Sequence, residues 1–261
     1  MSYQTLILEI TPDWKAVLTL NRPEKRNAIN HELIAELLAA LNEVQRSTAL
    51  VLILAGAGKS FCSGMDLEVL KSLAGQTAEQ SRADSERMAQ FFRAVYEFPL
   101  PTIAAVNGPA IAGGCGLATL CDITIAGSDA KFGYTEVRIG FLPAIVSAFL
   151  VRQVVEKHAR ELLLTGKVIS AEEARRIGLV NMVCAPDQVM AQAHSVAAQL
   201  LENSPASLRA TKELLKGFNR AALDADIKVA VEANAASRAT DDFREGISAF
   251  LEKRAPKWSG K

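Results

Sequence analysis

Six consecutive apolar residues, Leu50-Val51-Leu52-Ile53-Leu54-Ala55, stopped by Gly56-Ala57-Gly58, set the first limit on this fold. A strand with no polar alternation must be covered on both faces, which is the pattern of a parallel sheet with helices above and below. Thr102–Val106 and Ile123–Ala126 read the same way, and Leu6–Ile10 and Ala16–Leu20 are short β-rich runs around a Thr-Pro-Asp turn. Between them lie helical patterns. Asn30 is a candidate N-cap ahead of Ile34, Leu37, Leu38 and Leu41. Met88, Phe91, Phe92 and Val95 form a second stripe that ends before Pro99 and Pro101. The alternation implies an α/β core with crossover connections.

Beyond residue 145 the strands fade. Helices are expected at 147–155, 157–165, 171–177, 186–201, 205–217 and 222–250, with Pro186 and Pro205 at first-turn positions. Ser72–Ser85 is the most polar stretch and reads as a mobile loop.

Charge and composition exclude several functions. The chain has 261 residues, with 29 Lys+Arg against 29 Asp+Glu. A neutral chain has no global field for nucleic acid or anionic membranes, so any anion site must be local. With only three Tyr and two Trp, RNA stacking is also disfavoured. Four cysteines in no CxxC pair and three histidines argue against zinc ribbons and disulfide scaffolds. The first residues lack a signal-peptide pattern, and the longest apolar run, Ala49–Ala55, is too short to span a bilayer. A cytoplasmic protein is expected, with no metal or organic cofactor.

Two motifs fail on inspection. Gly58-Lys59-Ser60 needs a glycine at position 53 to complete a phosphate loop, and that residue is Ile53. Gly114-Cys115-Gly116 needs one at 119 to complete a dinucleotide fingerprint, and that residue is Thr119. His31, His158 and His194 read as surface or packing residues, and Cys115 as a small packed hydrophobe.

Three segments follow buried strands and carry the candidate chemistry. They are Ser60–Leu67 (SFCSGMDL), Val106–Leu117 (VNGPAIAGGCGL) and Lys131–Gly140 (KFGYTEVRIG). Small residues in the first two let a ligand approach the main chain. The second leads into Leu117–Leu120, expected as a short helix whose N-terminal N–H groups would point outward. Two such loops face to face would form an oxyanion hole. Glycine content alone leaves tight turns equally possible.

These segments resemble the enoyl-CoA hydratase/isomerase (crotonase) family. The likeness runs from Asn21–Asn30 (NRPEKRNAIN) through Phe61–Leu67, Asn107-Gly108 with the following Gly-rich loop, Cys121-Asp122 to Phe132-Gly133, and Ala171–Ala174 with Gly178–Val180. It ends at Phe250–Arg254 (FLEKR). The resemblance implies a spiral of ββα turns holding the active site and CoA over residues 1–200. It implies a helical trimerisation region over 201–261, giving a homotrimer or a dimer of trimers. It implies an acyl-CoA thioester substrate whose carbonyl is polarised by the N–H groups of Ser63 and Gly113. Lys25, Arg26 and Ala28 fall in the family's CoA-binding loop. Ser63, Gly64, Met65 and Asp66 match its pantetheine and adenine contacts. Phe250 and Lys253 match its C-terminal CoA positions, Lys253 reaching CoA from a neighbouring subunit.

The family's hydratases carry two glutamates. The later one matches Glu136; the earlier position is Gly116, which has no side chain. Glu136 is therefore the expected acid/base, and Val137, Ile139 and Phe132 suggest an apolar setting that raises its pKa. The expected reaction is hydration of a 2-enoyl-CoA in fatty acid or branched-chain amino acid breakdown. Residues 136–147 resemble a bacterial methylglutaconyl-CoA hydratase subgroup. An enoyl-CoA isomerase using the same single Glu, and a catalytically silent acyl-CoA binder, remain alternatives. Arg138 is a candidate cation for a carboxylate-bearing acyl group, although a solvated arginine explains it as well.

Overall fold

The computed structural model describes residues 3–260. A six-stranded sheet forms its centre. The chain begins with β1 (Leu6–Ile10) and β2 (Lys15–Leu20), an antiparallel pair in which Leu6 faces Leu20. A short 3-10 turn, Pro23–Lys25, leads to α1 (His31–Arg46). Asn30 caps α1, its side chain accepting from the Leu33 N–H. Next come β3 (Val51–Gly56), α2 (Leu67–Leu73), α3 (Ala78–Tyr96) and β4 (Thr102–Val106). The two-residue β5 (Ala110–Ile111) runs into α4 (Gly113–Thr119), followed by β6 (Ile123–Gly127) and β7 (Lys131–Gly133). A 3-10 turn, Glu136–Ile139, precedes α5 (Ala144–Leu150), α6 (Glu156–Thr165), β8 (Ile169–Ser170), α7 (Ala171–Arg176) and β9 (Met182–Cys184). A turn at Pro186–Gln188 leads to α8 (Val189–Leu201), α9 (Pro205–Ser237) and α10 (Asp241–Glu252).

The central order is β1-β2-β3-β4-β6-β9, parallel from β2 onward, with a small second sheet β5-β7-β8. Both faces of β3 are buried, as its composition requires. Val51, Ile53 and Ala55 pack with Val189, Ala193 and Ala197 of α8. Leu52 and Leu54 face the main core, which holds Leu33 and Leu37 of α1. Period-two alternation thus survives in a strand that shows no polar residue.

The polar stretch Ser72–Ser85 is not a loop. Leu73 closes α2, and α3 starts at Ala78 behind a capping box between Thr77 and Gln80. Ser81, Asp84 and Ser85 are buried on its inner face, so a polar stripe does what an apolar one usually does. The partner is α9. Ser85 donates to Asn234 at 2.8 Å, and Arg238 pairs with Asp84 at 2.8 Å.

Two further expectations shift. The helix expected at Leu117–Leu120 begins on Gly113, so the glycines themselves form its first turn. The segments 205–217 and 222–250 form one helix to Ser237, a break at Arg238–Thr240, and α10, whose N-cap Thr240 accepts from Phe243. α9 packs on the core: Leu223, Ile227, Ala230 and Val231 join the same cluster as Phe91 and Phe92. Among the described residues no helix is long and apolar enough to cross a membrane.

Candidate active site

A cavity of about 640 Å³ lies between the 24–29 loop, the turn after β3, the start of α4, residues 135–146, and the inner faces of α3, α9 and α10. Its walls include Lys25, Arg26, Ala28, Ser63, Met65, Asp66, Gly113, Glu136 and Phe250, nine of the expected positions. Gly64 lies within the turn rather than on the wall. Lys253 is exposed at the end of α10, outside that wall. No histidine lines the cavity, and burial pushes the Cys115 thiol up to about 12.

The two glycine-bearing turns do meet. Gly64 has φ +89°, a conformation natural only to glycine, and a Cβ built there would lie 3.0 Å from the Ile111 carbonyl oxygen and 3.7 Å from the Gly113 nitrogen. Ala112, just before Gly113, holds φ 51° and ψ −126°, a strained backbone fixed by donation to the Gly133 carbonyl at 2.7 Å. Gly113 then opens α4, where first-turn N–H groups have no helical partner.

Ser63 is not the second donor. Its N–H donates to the Arg26 carbonyl at 3.0 Å and is therefore engaged within the protein. The free amide lies two residues further on. Ile29 donates to the Gly64 carbonyl at 2.7 Å and receives from the Asp66 N–H at 2.9 Å, so Met65 turns its own N–H away from that strand. Among the described residues neither the Met65 nor the Gly113 N–H has a hydrogen-bond acceptor.

A buried clamp holds this turn. Arg22 reaches the Asp66 carboxylate at 2.8 Å and the Ala28 carbonyl at 2.5 Å. Asn27 ties the same loop to the Ala57 and Ser60 carbonyls at 2.9 and 2.8 Å. Burial works to raise the Asp66 pKa, but the Glu68 N–H and Arg22 hold it below the ordinary value. Asp66 lines the cavity, yet its carboxylate serves Arg22 and the first turn of α2. Arg22 and Asn27 stand in the NRPEKRNAIN stretch; nothing in their spacing announced the clamp.

Glu136 is 8% exposed, and its Oε2 has no partner. Burial in this wall pushes its carboxyl from 4.5 up to about 7. The place of a second carboxylate is filled. A Cβ on Gly116 would come within 2.8 Å of Val146 Cγ1 and 3.5 Å of Phe92, so that wall is apolar. Arg238 and Asn234 also line the cavity, while Arg138 does not. No sequence pattern singled out Arg238, because its neighbours on α3 read as a loop.

A buried carboxyl with a pKa raised to about 7, in the same cavity as two amides without acceptors, can move a proton next to a carbonyl whose charge the amides stabilise. Comparison with known proteins agrees. Residues 15–261 match the family model described as enoyl-CoA hydratase/isomerase. A putative enoyl-CoA hydratase of Thermus thermophilus is 44% identical, covering 93% of this chain and 96% of the relative. A crotonyl-CoA hydratase of Syntrophomonas wolfei is 36% identical over the full length of both. The crystal structure of an enoyl-CoA hydratase/isomerase from Xanthobacter autotrophicus superposes with a TM-score of 0.88 at 31% identity, covering 97% of this chain and 98% of that one.

Proposed function

The chain belongs to the enoyl-CoA hydratase/isomerase family, and from that premise we propose that it hydrates an enoyl-CoA thioester across the 2,3 double bond with Glu136 as its single proton carrier. The observation that carries this reading is the buried Glu136 carboxyl, whose Oε2 has no partner among the described residues, in the cavity that also holds the Gly113 and Met65 amides.

The thioester carbonyl oxygen sits between those two amides. Water attacks C3 while Glu136 takes its proton, and negative charge gathers on the thioester oxygen. The protonated Glu136 then delivers that proton to C2, and the carbonyl re-forms. One H and one OH are added, and the carboxylate is regenerated. Each preorganised donor is worth about 3 kcal/mol of barrier. Lys25 and Arg26, both exposed, serve the CoA phosphates at the mouth, with Ala28 and Phe250 along the wall. A homotrimer or dimer of trimers belongs to the same proposal, with Lys253 reaching CoA on a neighbouring copy. The scheme uses only this chain's groups, with no metal or organic cofactor. The narrower substrate proposal, a 3-methylglutaconyl thioester, is supported by residues 136–147.

A second reading has its own support. The apolar filling opposite Glu136, from Val146 and Phe92, suits a carboxylate that moves a proton between C2 and C4 without water. Incubation of 2-enoyl-CoA and 3-enoyl-CoA separately in ¹⁸O-water separates the two. Hydration places ¹⁸O on the product and removes the conjugated thioester absorbance. Migration of the double bond with no label would establish the isomerase instead.

A further inference from the structure

Arg238 belongs to the cavity wall and is 5% exposed. Three of its four polar contacts come from one terminal nitrogen, Nη2, which donates to Asp84 at 2.8 Å, Asn234 at 3.0 Å and Ser85 at 3.3 Å; Nη1 donates to Gln76 at 3.0 Å. Its Nε is buried and has no acceptor among the described residues. A guanidinium donor left without a partner in a low-dielectric site is costly. Its charge is also incompletely balanced, because Asp84 faces Arg87 as well, at 3.5 Å. Burial lowers the Arg238 pKa even with Asp84 beside it.

The Arg238 guanidinium stands 5.6 Å from the centroid of the Phe141 ring. Asn234 donates to the Leu142 carbonyl at 3.0 Å, which pins α9 to the chain segment directly after Glu136. A fixed cation therefore sits in the wall of the same cavity as the reacting centre, with apolar Met88, Ile145 and Val146 also on that wall.

We propose that Arg238, held by Asp84 and Asn234, is the acyl-end recognition site of this cavity and selects enoyl-CoA thioesters whose acyl chain carries a free carboxylate. A carboxylate supplies both the missing acceptor and the missing negative charge, whereas an alkyl end supplies neither. The proposal deepens the hydratase reading and rests on it for the identity of the thioester.

The test compares crotonyl-CoA with its 4-carboxy derivative. The wild-type enzyme should favour the carboxylate ester by at least tenfold in kcat/KM. Arg238→Met should collapse or reverse that ratio, and Arg238→Lys should restore part of it. Because Arg238→Met leaves Asp84 buried without its partner, the pair Asp84→Asn with Arg238→Met is measured alongside. Equal loss on both esters in every variant, or a wild-type preference for crotonyl-CoA, would overturn the proposal. Calorimetric binding of butyryl-CoA and glutaryl-CoA is independent of hydration. Tighter glutaryl-CoA binding that vanishes in Arg238→Met supports the site even if no ester is hydrated. Equal binding of the two overturns it.

Discussion

The Ser63 N–H donates to the Arg26 carbonyl oxygen at 3.0 Å, and this bond fixes which amide of the turn is left for a substrate. It ties the turn after β3 to the 24–29 loop, and leaves the Met65 N–H as the amide that the proposed mechanism uses. Gly64, between them, must keep φ +89° for that arrangement. Gly64→Ala should therefore lower kcat by about 100-fold, the loss of one oxyanion donor, with a smaller change in KM. Steady-state kinetics on crotonyl-CoA check this; near-normal kcat would show that the Met65 amide does not face the carbonyl.

Glu136→Gln keeps the shape of the cavity and removes the proton carrier. Its kcat should fall by roughly 10³ or more, while the variant still binds a saturated acyl-CoA. Calorimetry beside single-turnover kinetics reads both. A variant that turns over like the wild type removes Glu136 from the mechanism.

The same carboxyl makes stability depend on pH. Its folded pKa is raised, from 4.5 to about 7, so the folded state holds the proton longer than the unfolded one. The contribution is fully present below pH 4.5, declines as pH rises towards 7, and is gone above it. The loss amounts to about 3 kcal/mol, and Glu136→Gln should abolish this component. Urea unfolding of both proteins at pH 5 and pH 8 measures the difference; an identical pH dependence would contradict the burial argument.

Gly116→Glu does not restore a two-carboxylate site. Its Cβ meets Val146 Cγ1 at 2.8 Å, so the variant should lose about 1–3 kcal/mol of stability and gain no activity. Adding Val146→Ala, which removes the clashing Cγ1 and keeps a helix-forming residue, should recover part of the stability lost to the clash. Thermal unfolding of the single and double variants shows whether Val146 is the obstacle.

The parallel sheet was legible because a strand covered on both faces advertises itself, as in Leu50–Ala55 and Thr102–Val106. The start of α3 was not, because its inner face is Ser81, Asp84 and Ser85, and the partners of Ser85 and Asp84 are Asn234 of α9 and Arg238 just after it, more than a hundred residues away. The very short β5, β7 and β8 carry too few residues to show a period. Glu136 was legible through the Gly-bearing segments and their resemblance to a family. The free amide was expected at Ser63 and lies at Met65, because which amide is free depends on the Arg26 carbonyl, and no side-chain pattern records a backbone bond. Arg238 was missed for the same reason as α3, its burial being visible only once the two helices are packed.

In the proposed reaction one carboxyl, neutral or charged according to a pKa near 7, carries the transferred proton. Infrared difference titration of the protonated carboxyl stretch, assigned by its absence in Glu136→Gln, tests it directly. The expected midpoint lies near pH 7 and coincides with the acid limb of kcat/KM. A Glu136 midpoint near 4.5, or an acid limb that stays in place when Glu136 is removed, would contradict it.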